Sequence, residues 1–336
     1  MTLLRSIVRS VVFVALVGAV LLGAKQLDTH ADISPVVRKE RALVAAEPEI
    51  VFVGSSRTYR HVVTPLFDSL RAASGVPTTS YNFGVPGSSG LEIHYRVGWL
   101  LEYAPASVRQ IVVEIRPILP VVHPALRRAR RTAYFHDVER TRLAARVALA
   151  TDTLSESPRA AAWDRVRIGA ENHLNIGWGP SLLSSVAQRN AESRPDADQG
   201  YAPLDTLSAR ATRRRQETVL APEARQAFLD RLESFSNRQT EPTGGDRVAA
   251  ESWAGLAERA EQKGIGLVFL ESPGETEAAG LSAALASGGE TVLVLNDPER
   301  FPEWYRPDAW FDSAHFAEPT ARKMTAVLAE ELPLPQ

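Results

Sequence analysis

The stretch Ile50-Val51-Phe52-Val53-Gly54-Ser55-Ser56-Arg57 is the part of the sequence that decides the fold. It begins with a short, continuous apolar run that ends at a glycine, which is typical of a buried strand. Because serines follow at once, the strand would deliver a hydroxyl group at its carboxyl edge. Open α/β sheets bind their ligands at that edge, so Ser56 is the first candidate for a functional residue.

A second motif lies near the other end of the chain. There Phe311-Asp312-Ser313-Ala314-His315 precedes a predicted final helix that begins at Glu318-Pro319. A serine hydroxyl is a poor nucleophile unless a base takes its proton, and an imidazole oriented by a carboxylate is the usual base. The two motifs therefore predict Ser56 as nucleophile, His315 as base and Asp312 as the orienting acid.

Further apolar runs along the chain alternate with helical patterns. Strands are predicted at Gln110 to Ile115, Ile265 to Leu270 and Thr291 to Leu295. Parallel sheets are built from strands that alternate with helices in this way. The pattern therefore predicts an α/β fold with a central parallel sheet.

Between about 120 and 245 the pattern changes, and we expect a mainly helical insertion beside the sheet. The better helical candidates are Asp137 to Leu149, Pro158 to Asn172 and Pro222 to Phe235. Residues 188–204 are polar and contain prolines, which favours a mobile loop. The charged cluster Arg127 to Arg131 either faces solvent or binds an anionic glycan or phospholipid headgroups.

The amino terminus carries a targeting signal. Arg5 and Arg9 precede an uninterrupted apolar run from Val11 to Ala24. No clean small-x-small cleavage site follows it, so residues 1–30 are interpreted as an uncleaved signal anchor, with a cleaved signal peptide as the alternative. The arginines would stay inside, which places the single domain over 31–336 outside the cytoplasm, attached to the membrane through its N-terminal helix.

Composition narrows the function further. The chain has 336 residues, 44% of them hydrophobic, which is enough for a substantial core. Its 38 basic residues nearly balance 40 acidic residues, which argues against nucleic acid as the main partner. Cysteine is absent, so disulfides, thiolate zinc sites and iron–sulfur clusters are excluded. Because the histidines lack metal-site spacing, neither a metal nor a cofactor is predicted.

These motifs resemble the SGNH/GDSL superfamily of serine esterases and acyltransferases. Gly54-Ser55-Ser56 is similar to its first block, Gly-Asp-Ser, and Asp312 to His315 is similar to its last, Asp-x-x-His. The run from Asn82 to Gly87 resembles the second block, Asn-x-Gly-x-x-Gly. The resemblance implies a three-layer, flavodoxin-like fold in which the N–H groups of Ser56 and Gly87 form the oxyanion hole.

Two features depart from the family pattern. The aspartate before the nucleophile is Ser55 here, and no Gly-x-Asn-Asp follows the strand that ends at Ile115. The amide that this third block would bring to the oxyanion hole has no candidate there. Arg116 could donate instead, or bind an anionic part of the substrate, since a guanidinium presents several fixed N–H groups. Arg57 and Asn82 are further candidates for substrate binding.

The anchored amino terminus and the variant first block also resemble a subset of this superfamily, the extracytoplasmic proteins of alginate O-acetylation and teichoic acid D-alanylation. This resemblance implies acyl transfer to, or ester hydrolysis of, a cell-envelope or secreted polysaccharide, for example its O-acetylation or deacetylation. A multipass membrane acyltransferase would be the partner that supplies the acyl group. The alternatives are a catalytically degenerate domain that binds glycan or scaffolds an envelope complex, and a lipid esterase at the membrane surface.

Overall fold

The computed structural model describes residues 2–26, 34–123, 130–152, 157–174, 198–203, 221–234, 240–274 and 278–335. At its centre lies a five-stranded parallel sheet with the spatial order β2-β1-β3-β4-β5. The strands are β1 Ile50–Gly54, β2 Ser80–Gly84, β3 Gln110–Glu114, β4 Gly266–Glu271 and β5 Val292–Val294. The predicted α/β class with a central parallel sheet is confirmed.

Helices lie before, between and after the strands. In chain order they are α1 Thr2–Gln26, α2 Ser34–Ala46, α3 Ser56–His61, α4 Thr64–Ala73, α5 Gly90–Tyr103, α6 Arg130–Tyr134, α7 Val138–Ala150, α8 Pro158–Leu174, α9 Pro222–Ser234, α10 Gly244–Glu261, α11 Ala279–Ser287 and α12 Glu318–Glu331. Short 3₁₀ helices are Asp198–Gly200, Pro302–Tyr305 and Pro307–Ala309.

The described part of the region between β3 and β4 contains several helices, joined by segments without regular structure such as 115–123. The three helices predicted there are present as α7, α8 and α9. The predicted loop at 188–204 falls mostly outside the described residues, which include only 198–203 of it. In that piece Tyr201 is buried and Gly200 O accepts a hydrogen bond from the Lys39 ammonium, so its end packs against the domain.

The amino-terminal helix α1 covers the apolar run of the predicted signal anchor. Over the ranges that the structure describes, no helix has both the length and the hydrophobicity needed to cross a bilayer, so the predicted anchor helix is left without structural support. The next helix, α2, is part of the folded domain. Its side chains Val36, Lys39 and Leu43 are buried.

The sheet is buried on both faces. Val51 and Val53 of β1 belong to one hydrophobic core, and Ile50 and Phe52 belong to the other. This follows from strand geometry, because successive side chains point to opposite faces. Helices α5 and α10 cover the first face, and α4 and α12 cover the second. Burial on both faces explains why the strands are continuous apolar runs in the sequence.

The strand order places the candidate residues together. β1 lies between β2 and β3, so their carboxyl ends are neighbours at one edge of the sheet. In doubly wound sheets, ligands bind where the strand order reverses, which here is beside β1. Ser56 lies at the carboxyl edge of β1, as predicted, and it is also the first residue of α3. The helix begins there because the Ser55 hydroxyl accepts a hydrogen bond from Arg57 N–H and caps it.

The close approach of α3 to the sheet depends on glycine at the strand ends. A Cβ added at Gly54 would lie 1.8 Å from Thr58 Oγ1 and 2.4 Å from Glu114 Oε2. A Cβ added at Gly84, the last residue of β2, would lie 2.3 Å from the backbone nitrogen of Tyr59. Both contacts are far shorter than van der Waals distance. Only glycine therefore fits at the carboxyl ends of these two strands.

We expect Gly54→Ala to lower the free energy of unfolding by about 3 kcal/mol, because the added methyl group must displace Thr58 or Glu114. Gly255→Ala is the matched control. Gly255 is an exposed position in α10 where an added Cβ would meet no described atom within 4 Å, so helix propensity should raise stability by about 0.5 kcal/mol. Urea unfolding measures both. Equal stabilities of the two variants would contradict this account of Gly54.

Candidate active site

Ser56, His315 and Asp312 meet at the carboxyl edge of the sheet. His315 Nε2 lies 2.8 Å from Ser56 Oγ, and His315 Nδ1 lies 2.8 Å from Asp312 Oδ1. With the proton on Nδ1, the imidazole donates to Asp312 and its Nε2 can accept the serine proton. The structure thus brings together the three residues that the two terminal motifs predicted, although the first and last motifs are far apart in the chain.

The Asp-x-x-His spacing has a local physical reason. Asp312 is buried, and its Oδ1 accepts hydrogen bonds from the backbone N–H groups of Ala314 at 2.8 Å and His315 at 2.9 Å, besides the imidazole. Phe311 N–H closes the turn by donating to His315 O at 2.8 Å. A carboxylate three residues before the histidine can therefore hold both the turn and the ring. This fixes the direction in which Nε2 points.

Glu114 is the residue at this site that sequence analysis missed. It is the last residue of β3, and its carboxylate is only 1% exposed. It accepts hydrogen bonds from Ser55 N at 2.7 Å, Ser55 Oγ at 2.6 Å, Thr58 N at 3.2 Å and Thr58 Oγ1 at 2.6 Å. These four bonds hold the first turn of α3 and so position Ser56.

Glu114 stays ionised in spite of its burial. Desolvation alone would raise its pKa, but the charges of Arg116 and Arg57 and the hydrogen bonds from Ser55 and Thr58 outweigh it and lower the pKa. The available signal in the sequence was a lone carboxylate that ends an apolar strand at the ligand edge. Its partners could not be read from the sequence, because they lie on another element.

The environment of Glu114 also accounts for serine at position 55. The Ser55 hydroxyl donates to Glu114 and at the same time caps α3. An aspartate at position 55 would set a second carboxylate against this buried one, which is unfavourable for two like charges. The departure from the resembled pattern at position 55 therefore has a structural reason in its contact with Glu114.

The two arginines predicted as substrate-binding residues flank this carboxylate. Arg57 is 6% exposed, and its Nη2 donates to Gly274 O at 2.9 Å, which joins α3 to the loop after β4. Arg116 is half-buried, and its Nη1 lies 3.4 Å from Ser88 O. The burial of Arg57 argues against direct contact with substrate, because its guanidinium is directed into the protein.

Asn82 also has a structural position that the motif did not predict. It is fully buried in β2 and donates through Nδ2 to Thr58 O at 2.7 Å and Val62 O at 2.8 Å. Its Oδ1 accepts the N–H of Gly84 at 2.9 Å. Both amide hydrogens are thus used within the protein, so Asn82 fastens α3 to β2 and is not placed to bind a substrate. The side-chain amide is enclosed by the protein because the end of β2 is buried.

The backbone N–H groups of Ser56 and Gly87 are the donors that the resemblance assigns to an oxyanion hole. Gly87 lies in the exposed turn after β2 with φ of +73°, a conformation that favours glycine. Within the described ranges, neither Ser56 N–H nor Gly87 N–H donates to a protein acceptor. The two N–H groups that the resemblance assigns to an oxyanion hole therefore have no acceptor among the described residues.

The buried guanidinium of Arg96 holds the ends of two strands and the turn after β2. Arg96 on α5 is fully buried and donates to Phe83 O, to Gly54 O at 2.7 Å and to Ser88 Oγ at 2.9 Å. One side chain thus joins the carboxyl ends of β1 and β2 to the turn that contains Gly87. Burial lowers the pKa of Arg96 to about 10, which leaves it protonated at neutral pH.

Arg131, the last residue of the basic cluster, holds the same turn from outside. It donates to Pro86 O at 2.9 Å and to Ser88 Oγ at 3.1 Å, and it forms an ion pair with Glu92 at 2.5 Å. This member of the cluster therefore has a protein partner. Arg127, Arg128 and Ala129 lie outside the described residues.

A second histidine, His61, lies behind the triad. Its ring is fully buried, stacks on Phe316 with 4.6 Å between ring centroids, and lies 6.2 Å from the ring of His315. His61 Nε2 accepts the Phe316 N–H at 2.9 Å, so the ring is neutral with its proton on Nδ1. Burial, then the charges of His315 and Arg57, hold its pKa well below 6.5. His61 thus supports the His315 loop from inside the protein and does not reach substrate.

We expect Glu114→Gln to lower the free energy of unfolding at pH 7 by about 3 kcal/mol, because an amide turns N–H groups toward donors that need an acceptor. The lowered pKa of Glu114 determines how its contribution to the free energy of unfolding changes with pH. The charged form contributes its full stability above the unfolded pKa near 4.5 and loses it as the pH falls below that value. The difference between wild type and variant should therefore shrink at pH 3.5.

The matched control is the exposed Glu303→Gln, which should change stability by less than about 0.5 kcal/mol at either pH. Urea unfolding at pH 7 and pH 3.5 measures all three proteins. A Glu114→Gln variant as stable as the Glu303→Gln control would show that the four hydrogen bonds to Glu114 do not hold α3.

The lowered pKa of His61 makes a second pH prediction. Because the unfolded chain binds a proton at this residue below pH 6.5 and the folded protein does not, stability should fall as the pH falls through this range, by up to about 1.4 kcal/mol per pH unit. The glutamine oxygen of His61→Gln can still accept the Phe316 N–H, but the side chain does not titrate. In this variant the contribution of His61 to the pH dependence of the free energy of unfolding between pH 6.5 and 5 should vanish. Unchanged slopes in pH-dependent denaturation would disprove a neutral, buried His61.

Comparisons with models of known protein families, with curated proteins and with solved structures found no match to this chain. The relation to the SGNH/GDSL superfamily therefore stays a prediction from the sequence motifs. The evidence for the function of this protein is the geometry of Ser56, His315 and Asp312 and of the groups around them.

Proposed function

We propose that this protein is a serine-dependent acyl-transfer enzyme of the SGNH type, acting as an ester hydrolase or an O-acyltransferase. The observation that carries the proposal is the continuous path of two 2.8 Å contacts from Ser56 Oγ through the His315 ring to Asp312. Contacts of this length are within the reach that general-base activation of a nucleophile requires. The flavodoxin-like strand order agrees with the fold that the resemblance implies.

The reaction would proceed in two steps. Ser56 Oγ attacks the ester carbonyl carbon while its proton passes to His315 Nε2, and Asp312 stabilises the resulting imidazolium. The carbonyl oxygen becomes an oxyanion that the N–H groups of Ser56 and Gly87 can bind. His315 then returns the proton to the departing alcohol as the carbon–oxygen bond breaks, which leaves an acyl ester on Ser56.

The second step determines the class of enzyme. A water molecule or a sugar hydroxyl gives its proton to His315 as it attacks the acyl carbon. The bond from that carbon to Ser56 Oγ then breaks, and His315 returns the proton to Oγ, which restores Ser56. Water as acceptor makes the protein an esterase, and a sugar hydroxyl makes it an O-acyltransferase. In the proposal Glu114 positions Ser56, because it holds the nucleophile turn from the end of β3.

The substrate we propose is an acylated polysaccharide of the cell envelope or a secreted one. The location outside the cytoplasm is part of the same proposal, and it is supported by the arginines and the apolar run between Arg5 and Ala24. In the transferase reading, a multipass membrane acyltransferase supplies the acyl group. The alternative of a degenerate, glycan-binding domain rests on the missing third-block asparagine, and the intact proton path at Ser56 weighs against it.

We expect Ser56→Ala and Asp312→Asn each to lower kcat for p-nitrophenyl acetate by about 10³-fold or more. The first removes the nucleophile, and the second favours the imidazole tautomer that cannot accept the serine proton. The full chain is assayed by release of p-nitrophenol, with the exposed Ser287→Ala as a control expected to keep wild-type turnover. Thermal unfolding should show that all variants remain folded.

Turnover that survives in the folded Ser56→Ala protein would contradict the proposed function. A wild-type protein that is folded and inactive would instead favour a binding role. If turnover depends on Ser56, adding an oligosaccharide acceptor separates the two classes of enzyme. An increase in acylated oligosaccharide at the expense of free acid indicates transfer, and an unchanged yield of free acid indicates hydrolysis.

A further inference from the structure

A cleft of about 120 Å³ opens beside Gly87, the residue whose N–H is available for an oxyanion. Its described apolar wall consists of Leu91, Ile118, Leu119, Val121, Val122 and Phe135. These side chains come from α5, from the segment that follows β3 and from the loop after α6. The cleft therefore has an apolar interior that begins at the backbone of the candidate active site.

Three polar side chains that line the cleft, Arg165, His136 and Glu92, are engaged with the protein, and Glu92 is the ion-pair partner of Arg131. Arg165 on α8 donates through Nε to Pro120 O at 3.2 Å, through Nη2 to Leu119 O and through Nη1 to His136 Nε2 at 3.2 Å. His136 Nδ1 in turn donates to Thr132 O at 2.5 Å. Burial lowers the pKa of His136 to about 4, so its ring is neutral near pH 7. These contacts tie the segment after β3 to the insertion and hold the wall in place.

We propose that this cleft binds the acyl chain of the ester substrate, which rests on the function proposed above. Gly87 is shared by the cleft and the candidate oxyanion hole. A carbonyl oxygen bound to Gly87 N–H lies one bond from the carbonyl carbon and two bonds from the first carbon of the acyl chain. That chain therefore begins at the mouth of the cleft, and an apolar chain is the part of an ester that an apolar wall accepts.

The size of the cleft defines the class of acyl group. An apolar cavity of about 150 Å³ holds one benzene molecule, with its six carbons. A volume of about 120 Å³ therefore holds about four or five carbons, and an acetyl group would leave most of it empty. The cleft thus favours a butyryl-sized group over the acetyl group that the family resemblance implies.

The helical insertion would have a function in this cleft. Phe135 and Arg165 lie in the region between β3 and β4, and the other end of the wall is Leu91 on α5. The reacting groups lie at the edge of the sheet, and the insertion forms one side of the cleft that selects the acyl chain by its length. Changes in the insertion should then alter the choice of acyl group and leave the reaction at Ser56 intact.

The test is a chain-length series with the full protein, using p-nitrophenyl acetate, butyrate and octanoate. Burial of a methylene is worth about fourfold in affinity, so kcat/KM for butyrate should exceed that for acetate by about tenfold. Octanoate extends beyond the volume of the cleft, so its outer methylenes gain no burial there and its kcat/KM should not exceed that of butyrate. A maximum at acetate, or a steady rise to octanoate, would overturn the inference.

Val122→Phe fills the cleft from a half-buried position and should remove the butyrate advantage, so that kcat/KM for butyrate falls to about that for acetate. Val44→Phe, at a 47% exposed position on α2, is the matched control and should keep the wild-type series. If Val122→Phe does not fold, Leu119→Trp tests the same wall at a residue that is 51% exposed. An unchanged series in whichever blocking variant folds would overturn the inference.

Failure of the proposed function has a different signature. In that case wild type and Ser56→Ala would hydrolyse all three esters equally, or neither would hydrolyse any of them, and the acyl-chain inference would fall with it. Ser56-dependent turnover without the predicted chain-length profile would overturn the inference and leave the proposed function standing.

Discussion

The arrangement of the candidate site depends on one buried carboxylate, that of Glu114. Its four hydrogen bonds to Ser55 and Thr58 hold the first turn of α3 against the end of β3. A buried charge is unfavourable unless it is paired and hydrogen-bonded, so this contact ties the position of the helix to that of the strand. Ser56, between Ser55 and Thr58, takes its place from the same contact, and Gly54 leaves the room that the contact needs.

The other strand ends follow the same principle. Arg96 joins the ends of β1 and β2, Asn82 joins β2 to α3, and Arg57 joins α3 to the loop after β4. Each is a buried polar side chain that donates to backbone carbonyls at the strand ends, in α3 or in the loops at the carboxyl edge of the sheet. His61 does the same for the loop of His315 through Phe316 N–H. Several residues in the motifs are thus structural supports, and the reacting groups they surround are few.

Much of the fold could be predicted from the sequence, because the strands are apolar runs between turn residues. β1, β3, β4 and β5 lie within a residue or so of the predicted strands, and α7, α8 and α9 lie at the predicted places. The start of α3 at Ser56 was missed, since a six-residue helix is too short to show a periodicity. The membrane anchor predicted at the amino terminus lacks support among the described residues, although the run that suggested it is apolar.

The sequence by itself determined which residues form the strands and which residue types were available for chemistry, because hydrophobic periodicity and the spacing of Asp312 and His315 are local. Only the tertiary structure decided which polar residues meet. Glu114 and Ser55 are distant in the chain, and so are Arg165 and Leu119, yet each pair is in contact because parallel strands and the insertion bring them to one edge of the sheet. A contact between residues far apart in sequence depends on how whole helices and strands pack, and a short sequence motif does not determine that packing.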